Sequence, residues 1–248
     1  MTPPPHHCAS EDLLVVLPTY NEAENVAAML ERLLGLVPCR ILVVDDGSPD
    51  GTADLAEEVG RRSGRVTVAR RSRKLGLGTA YLLGFRTAIE RGAFLVLQMD
   101  CDFSHDPGDV PRLIATLERE GADLVIGSRY VDGGRITGWP VHRLLLSRGG
   151  NAYARAVLGR QIRDWTAGFK LWRIEALAAV LSEPGSFGDG YSFLAETSLR
   201  AIRRGLTVVE VPITFRERAA GVSKMGLDIV SESARRVWSL RGRGSRSR

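Results

Sequence analysis

Cysteine is scarce in this chain of 248 residues: Cys8, Cys39 and Cys101 lie far apart, and no two of them form a CxxC pair. That spacing excludes a disulfide framework and a zinc ribbon and predicts reduced thiols. Long apolar runs are missing too. None reaches the roughly 18 to 20 residues of a spanning helix, and the opening "MTPPPHHCAS" lacks the apolar centre of a secretory signal, so a cytoplasmic protein is expected. Acid is absent from the end of the chain, where Arg235, Arg236, Arg241, Arg243, Arg246 and Arg248 follow Glu232 with no carboxylate among them. The formal charge of +5 is therefore a property of the tail, since residues 1–234 sum to −1. With a near-neutral body and no interleaving of basic and aromatic residues, nucleic acid is not an expected partner. The tail reads either as a solvated end or as a loose tether to an anionic leaflet.

What is present is the composition of a soluble globular protein, 44% hydrophobic and 25% charged. The expected organisation is a disordered start at 1–10, one domain over 11–240 and a basic tail at 241–248. Apolar runs at 13–18, 41–46, 66–70, 93–100 and 122–128 are short, rich in β-branched residues and not alternating, as in strands buried on both faces. Segments of helix length separate them at 22–35, 52–63, 77–91 and 109–120. This rhythm predicts an α/β fold with a mostly parallel sheet, right-handed crossovers and helices on both faces. Beyond residue 128 come a Gly-rich loop at 131–140, a helix at 141–158, a strand-like "GFKLWR", a helix near 191–204 and a second strand-like run at 207–215. Ligands of such sheets bind beyond the carboxyl ends of the strands.

Those ends are acidic. "MDCDFSHDP" (99–107) places Asp100, Asp102 and Asp106 behind a buried strand, and Asp100 with Asp102 suits Mg²⁺ or Mn²⁺, which take one or two carboxylates together with waters and substrate phosphates. A set of caps and turn formers before the helix at 109 is the competing reading, and for Asp106 it is preferred. "VVDDGSPDGTAD" ends a second strand in Asp45 and Asp46; Asp46 suits a ribose or base hydroxyl, while Ser48 to Thr52 form a turn with Thr52 as helix cap. "RKLGLGTAYLLG" fails as GxGxxG because Tyr81 stands at the last glycine, and it reads as a glycine-assisted turn into a helix. Arg143, Ser147 and Asn151 recur every four residues on one helical stripe close in the fold to Arg129, which suits a phosphate cradle as well as a solvated face. "FRERAAGVSK" adds Arg216, Arg218 and Lys224 around a glycine. No histidine or Cys/His pair has a convincing catalytic setting; for His105 a turn role is preferred. The helical pattern at 225–240 puts Leu227, Val230, Ala234, Val237 and Trp238 along one side, as an interfacial helix or as one packed on the domain.

Taken in order, "PTYNE", "VVDDGSPDGTA", "KLGLGTAY", "MDCDFSHDP", "GSRYVDGG", "WPVHRLLLSRGGN", "WTAGFK" and "VPITFRERAAGVSK" cover nearly the whole chain. The sequence thereby resembles the family 2 glycosyltransferases of GT-A fold and, within them, the polyprenol (dolichol) phosphate mannose synthases. That resemblance implies an inverting transfer of mannose from GDP-mannose to a polyprenyl monophosphate, carried out at the cytoplasmic face of a membrane by a peripheral protein or through a small membrane partner. It implies that Pro18, Tyr20, Glu22, Val44 and Asp46 hold the guanosine, and that Asp100 and Asp102 hold Mg²⁺ or Mn²⁺ on the diphosphate, with Cys101 contributing backbone. Ser104 stands where some relatives have glutamine, so a hydroxyl or a water completes the metal shell. Arg129, Arg143 and Ser147 receive the acceptor phosphate, Arg129 also facing the donor, while Arg218 and Lys224 neutralise the departing diphosphate. Asp164 and Glu196 are candidates for orienting the sugar or for core polar groups. The alternatives are another nucleotide sugar, a non-lipid acceptor, or a nucleotide-binding protein without chemistry.

Overall fold

The computed structural model describes residues 12–188, 190, 192–217 and 227–241, with side chains from Ser233 onward in the last of these segments. The first half alternates as the apolar runs predict: β1 (Leu13–Thr19), α1 (Val26–Leu36), β2 (Arg40–Asp45), α2 (Thr52–Ser63), β3 (Val66–Arg70), α3 (Leu77–Glu90), β4 (Leu95–Gln98), α4 (Val110–Arg119) and β5 (Leu124–Ser128). The second half holds β6 (Arg135–Thr137), α5 (Val141–Leu158), β7 (Lys170–Arg173), α6 (Ile174–Leu181), α7 (Ser192–Arg203), β8 (Val208–Pro212), β9 (Thr214–Arg216) and α8 (Leu227–Arg241). A 3₁₀ turn, Pro107–Asp109, introduces α4, and Asp106 caps it by accepting the Gly108 N–H at 2.9 Å.

Seven strands form one sheet in the order β3-β2-β1-β4-β7-β5-β8, and β6 pairs with β9 in a small second sheet. All pairings in the large sheet are parallel except those of β7, which runs against both β4 and β5. Strand order reverses between β1 and β4, the switch point beside which open α/β sheets bind ligands. The absence of alternation in "LLVVLP" has its cause here. Leu13, Val15 and Leu17 enter a core with Met29, Leu30 and Leu33 of α1, whereas Leu14 and Val16 enter a second core with Tyr81 and Phe85 of α3. Each such buried side chain contributes about 1.5–3 kcal/mol. On the second face a Cβ at Gly84 would fall 2.3 Å from Val16 Cγ1, so glycine there lets α3 lie directly on β1.

Several boundaries differ from the sequence reading. The run at 207–215 is two strands rather than one, divided at Ile213, and the Gly-rich loop at 131–140 contains β6. Helix α6 was not anticipated. Thr52 is not the cap of α2: Gly51 holds that position in a left-handed conformation, while the Thr52 hydroxyl accepts the Glu22 N–H at 2.9 Å and donates to Asp50. Asp50 in turn accepts the Thr52 N–H at 3.1 Å. Cys39 and Cys101 are buried free thiols, and burial pushes the Cys39 thiol up to about 11. Cys8, the start at 1–10 and residues 242–248 of the tail lie outside the described residues.

Candidate active site

The parallel strands deliver their carboxyl ends to one rim. At the β1 end, Pro18 and Tyr20 are partly exposed and Glu22 is buried, its carboxylate accepting from the Asn25 side chain at 2.9 Å. Lys74 Nζ sits 4.7 Å from the centre of the Tyr20 ring. At the β2 end, Asp45 accepts from Thr19 and from both the N–H and the hydroxyl of Ser48, which folds the turn back on itself. Asp46 is paired with Arg71 and accepts the Leu75 and Gly76 N–H groups at 3.2 and 3.3 Å. It therefore holds down the loop before α3. Arg71, which sequence reasoning did not single out, has a side chain only 9% exposed. Val44 is fully buried in the second core and presents no side-chain surface at the rim.

Beyond β4 the chain turns through the acidic stretch. Asp100 is 35% exposed and accepts from the Tyr81 hydroxyl at 3.3 Å, so the tyrosine that breaks the GxGxxG pattern supports the first carboxylate. The Asp100 N–H donates to His105 Nδ1 at 3.4 Å. His105 is buried against Phe169 and Phe215, with ring centres 5.2 Å away in each case. Burial pushes this imidazole down to about 4, leaving it neutral at pH 7. Its place is structural, holding the loop that carries Asp100. Asp102 is buried and accepts the Ser104 N–H at 3.0 Å. Between them in sequence, Phe103 has φ 58°, a left-handed conformation costly for a bulky residue; Asn21 at the β1 rim has φ 56°. Non-glycine residues of positive φ among the described residues thus occur only at this rim.

Several observations fit a hard divalent cation at these residues. Asp100 and Asp102 line one cavity, and the buried Ser104 Oγ has no hydrogen-bond partner among the described residues. A Cβ at Gly168 would lie 3.5 Å from Asp100 Oδ2, so glycine keeps that side open. Among the described residues no group of three or more His, Cys, Asp or Glu is placed to hold a metal ion.

The cavity measures about 220 Å³ and extends from this acidic end to Arg129, Arg143 and Ser147. Arg129, at the end of β5, is locked: Nε and Nη2 each bond Asp164 at 2.7 Å, and Nη2 reaches Thr166 at 2.6 Å. Asp164 is fully buried; burial alone would raise its carboxyl, but the Arg129 guanidinium outweighs that and holds it below the usual carboxylate range. Asp164 is thus a core polar group that fixes Arg129. Arg143 lies over the Trp139 ring, 4.1 Å from its centre, and pairs with Glu217 at 2.6 Å. The Ser147 and Tyr130 hydroxyls are 2.7 Å apart. Asn151 departs from the expected stripe: it is buried, accepts the Trp165 N–H at 3.0 Å and so ties α5 to the segment before β7. Glu196 is also buried, pairing with Arg200 at 2.7 Å and accepting the Gly188 N–H. Neither Asp164 nor Glu196 lines the cavity. Arg218 and Lys224 lie outside the described residues.

The remaining wall is apolar. Leu146 and Tyr153 of α5, Leu194 and Ala195 of α7, and Ala234 and Val237 of α8 form it. Along α8, Val237 is buried while its neighbour Trp238 is 57% exposed, so the two do not share the single side expected; the side chains of Leu227 and Val230 lie outside the described ones. The first turn of α7 is anchored by Lys170, fully buried, whose Nζ bonds Leu194 O and, at 2.8 Å, Ser198 Oγ. Burial pushes its amine down to about 7. The unfolded chain then binds more protons than the folded one between pH 7 and 10, so stability contributed through Lys170 rises with pH across that window. Denaturation curves should show wild type gaining about 1.4 kcal/mol per pH unit relative to Lys170→Met. Parallel pH profiles for the two proteins would reject this assignment.

The doubly covered, mainly parallel sheet with an aspartate pair at its switch-point rim is an α/β architecture of GT-A type, whose ligands lie at that rim. Residues 14–181 match the glycosyl transferase family 2 profile, and the chain belongs to that family. Polyprenol monophosphomannose synthase of Mycolicibacterium smegmatis is 47% identical over 240 residues, 95% of this chain and 89% of that protein. Undecaprenyl-phosphate mannosyltransferase of Micrococcus luteus is 43% identical over 234 residues, 93% of this chain and 95% of that one. Among solved structures, a mannosyltransferase from Pyrobaculum calidifontis in complex with GDP-Man and Mn²⁺ has the same fold, with a TM-score of 0.58 at 18% identity; the match covers 87% of this chain and 58% of that one.

Proposed function

We propose that this enzyme transfers mannose from GDP-mannose to the phosphate of a polyprenyl monophosphate, releasing GDP and inverting the anomeric centre. The observation that carries the reading is the single cavity in which the Asp100/Asp102 end meets Arg143 and Ser147 across apolar walls. Such a cavity suits a ligand that is anionic at one end and hydrocarbon beyond it. The relatives named for polyprenol and undecaprenyl-phosphate substrates support the same choice.

In this reading Pro18, Tyr20, Glu22 and Asp46, with the backbone of Val44 and Cys101, form the nucleotide end. Asp100, Asp102 and the Ser104 hydroxyl hold Mg²⁺ or Mn²⁺, and that ion supplies charge neutralisation for the diphosphate. Arg218 and Lys224 add positive charge to the leaving group. Arg129 stands between donor and acceptor ends with its guanidinium fixed by Asp164. Arg143 and Ser147 orient the acceptor phosphate for attack opposite the nucleotide. A phosphate monoester, with a second pKa near 6, is already an anion at pH 7, so no strong base is required of the chain. The neutral, buried His105 is consistent with that economy.

No helix of the described residues is long and apolar enough to cross a membrane. Exposed Val141 and Leu145 on α5 and Trp238 on α8 support peripheral contact with a bilayer, or with a small membrane partner, at the cytoplasmic face. The test of the reaction is purified protein incubated with polyprenyl phosphate and a panel of labelled nucleotide sugars. Mannose transfer from GDP-mannose alone is expected; transfer of another sugar, or to a non-lipid acceptor only, would replace the proposal. In the same assay Arg143→Ala is expected to raise the acceptor KM roughly ten- to hundredfold while the GDP-mannose KM stays within about twofold. Equal loss for both substrates would reassign that arginine.

A further inference from the structure

The cavity lining includes two arginines among the described residues, and their counter-ions differ in kind. Arg129 is bound to Asp164, which is fully buried and has no route to solvent. Arg143 is bound to Glu217, whose side chain is 36% exposed. Glu217 follows β9, and its N–H donates to Thr137 O at 3.0 Å, next to the β6 strand. Its Cβ would lie 3.0 Å from a Cβ at Gly138, where φ is +82°, so glycine allows this close approach of Glu217 to the segment leading into α5. The backbone of Glu217 is thereby held in place, while its carboxylate, paired with Arg143, is partly exposed to water. Arg143 also lies over the Trp139 ring, a contact that does not depend on Glu217.

We propose that Glu217 is an exchangeable counter-ion of Arg143, which the acceptor phosphate must displace, so that Glu217 sets the affinity for the acceptor. The inference rests on the function proposed above. Glu217 is a positioning residue: it keeps the arginine desolvated and oriented until a dianionic phosphate, the stronger hydrogen-bond acceptor, replaces a monoanionic carboxylate. A half-exposed ion pair is weak, and about fivefold in affinity is the scale of the exchange. The buried Arg129 pair offers no such exchange, because separating it would leave a carboxylate unpaired in the core.

The test uses the intact protein. A short prenyl monophosphate, citronellyl phosphate, is titrated by calorimetry into wild type, Glu217→Gln and Glu217→Asp, and steady-state constants are measured with polyprenyl phosphate. Expected are about fivefold tighter binding of the probe to Glu217→Gln, an equal fall in the acceptor KM, and a GDP-mannose KM and kcat within about twofold of wild type. The Asp variant, which keeps the charge with a shorter reach, should tighten binding by a smaller factor. Unchanged or weaker acceptor binding by Glu217→Gln overturns the proposal and makes Glu217 a brace for Arg143. If the Gln variant does not fold, absence of any tightening in the Asp variant has the same force. If wild type moves no mannose, yet Glu217→Gln binds the probe more tightly than wild type, the function is removed and the exchange kept; an active wild type with an indifferent Glu217→Gln does the reverse. Failure of all three proteins to bind the probe overturns both.

Discussion

Replacing Asp100 by alanine is expected to lower kcat by about a thousandfold or more, with the fold intact. Asp100 is the more exposed of the two carboxylates, and the hydrogen bond it accepts from the Tyr81 hydroxyl is long at 3.3 Å. In the proposed reading the substitution would remove one carboxylate oxygen and one negative charge from the site that would hold the divalent cation. Asp102 is a poorer probe because it also organises its own loop by accepting the Ser104 N–H. Two measurements check the expectation: turnover at saturating Mg²⁺, and Mn²⁺ binding followed by its spin resonance signal. The variant should lose both while its unfolding midpoint moves little. Near-normal turnover, or an unaltered Mn²⁺ affinity, would take the metal away from this carboxylate.

Asp164→Ala should act through stability first. The substitution leaves the Arg129 guanidinium, 9% exposed, without the partner that accepts from its side chain twice and from its backbone N–H once. A charge stranded in that way typically costs 3–5 kcal/mol, a large part of the stability of an ordinary domain. Urea denaturation should register the loss as a lower midpoint with an unchanged slope. Replacing both members, Arg129→Met with Asp164→Leu, is expected to recover most of the stability without activity, because no charge is then left unpaired. If Asp164→Ala is as stable as wild type, the pair is not the fixed element described above.

The strands and helices of the first half were legible because a sheet covered on both faces needs uninterrupted apolar runs, and "LLVVLP" and "ILVVDD" have little other use. The place of the acid pair was legible for a related reason, since residues that follow such a run are delivered to the ligand rim of the sheet. Counter-ions were not. Arg129 meets Asp164 across 35 positions and Arg143 meets Glu217 across 74, and no local pattern announces either. Tyr81 was read only as a failed glycine, when its hydroxyl supports Asp100. Thr52 was assigned as a cap from its place before a helix, although a hydroxyl one turn from another strand end serves Glu22 equally well. The division at Ile213 was hidden because the β-prone run continues through it from Val211 to Phe215, although the two strands belong to different sheets. The direction of β7 could not be read from "GFKLWR", because hydrophobicity does not encode strand polarity.

That direction has a geometric outcome. A strand reversed among parallel neighbours brings its entrance, not its exit, to the ligand rim, and Gln98 at the end of β4 is accordingly level with Lys170 at the start of β7. The segment leading into β7 therefore also reaches this rim, where Asp164 meets Arg129. Inserted between β4 and β5, the same strand holds their ends two lattice steps apart, about 10 Å. The width of that gap is thus set by a single backward strand.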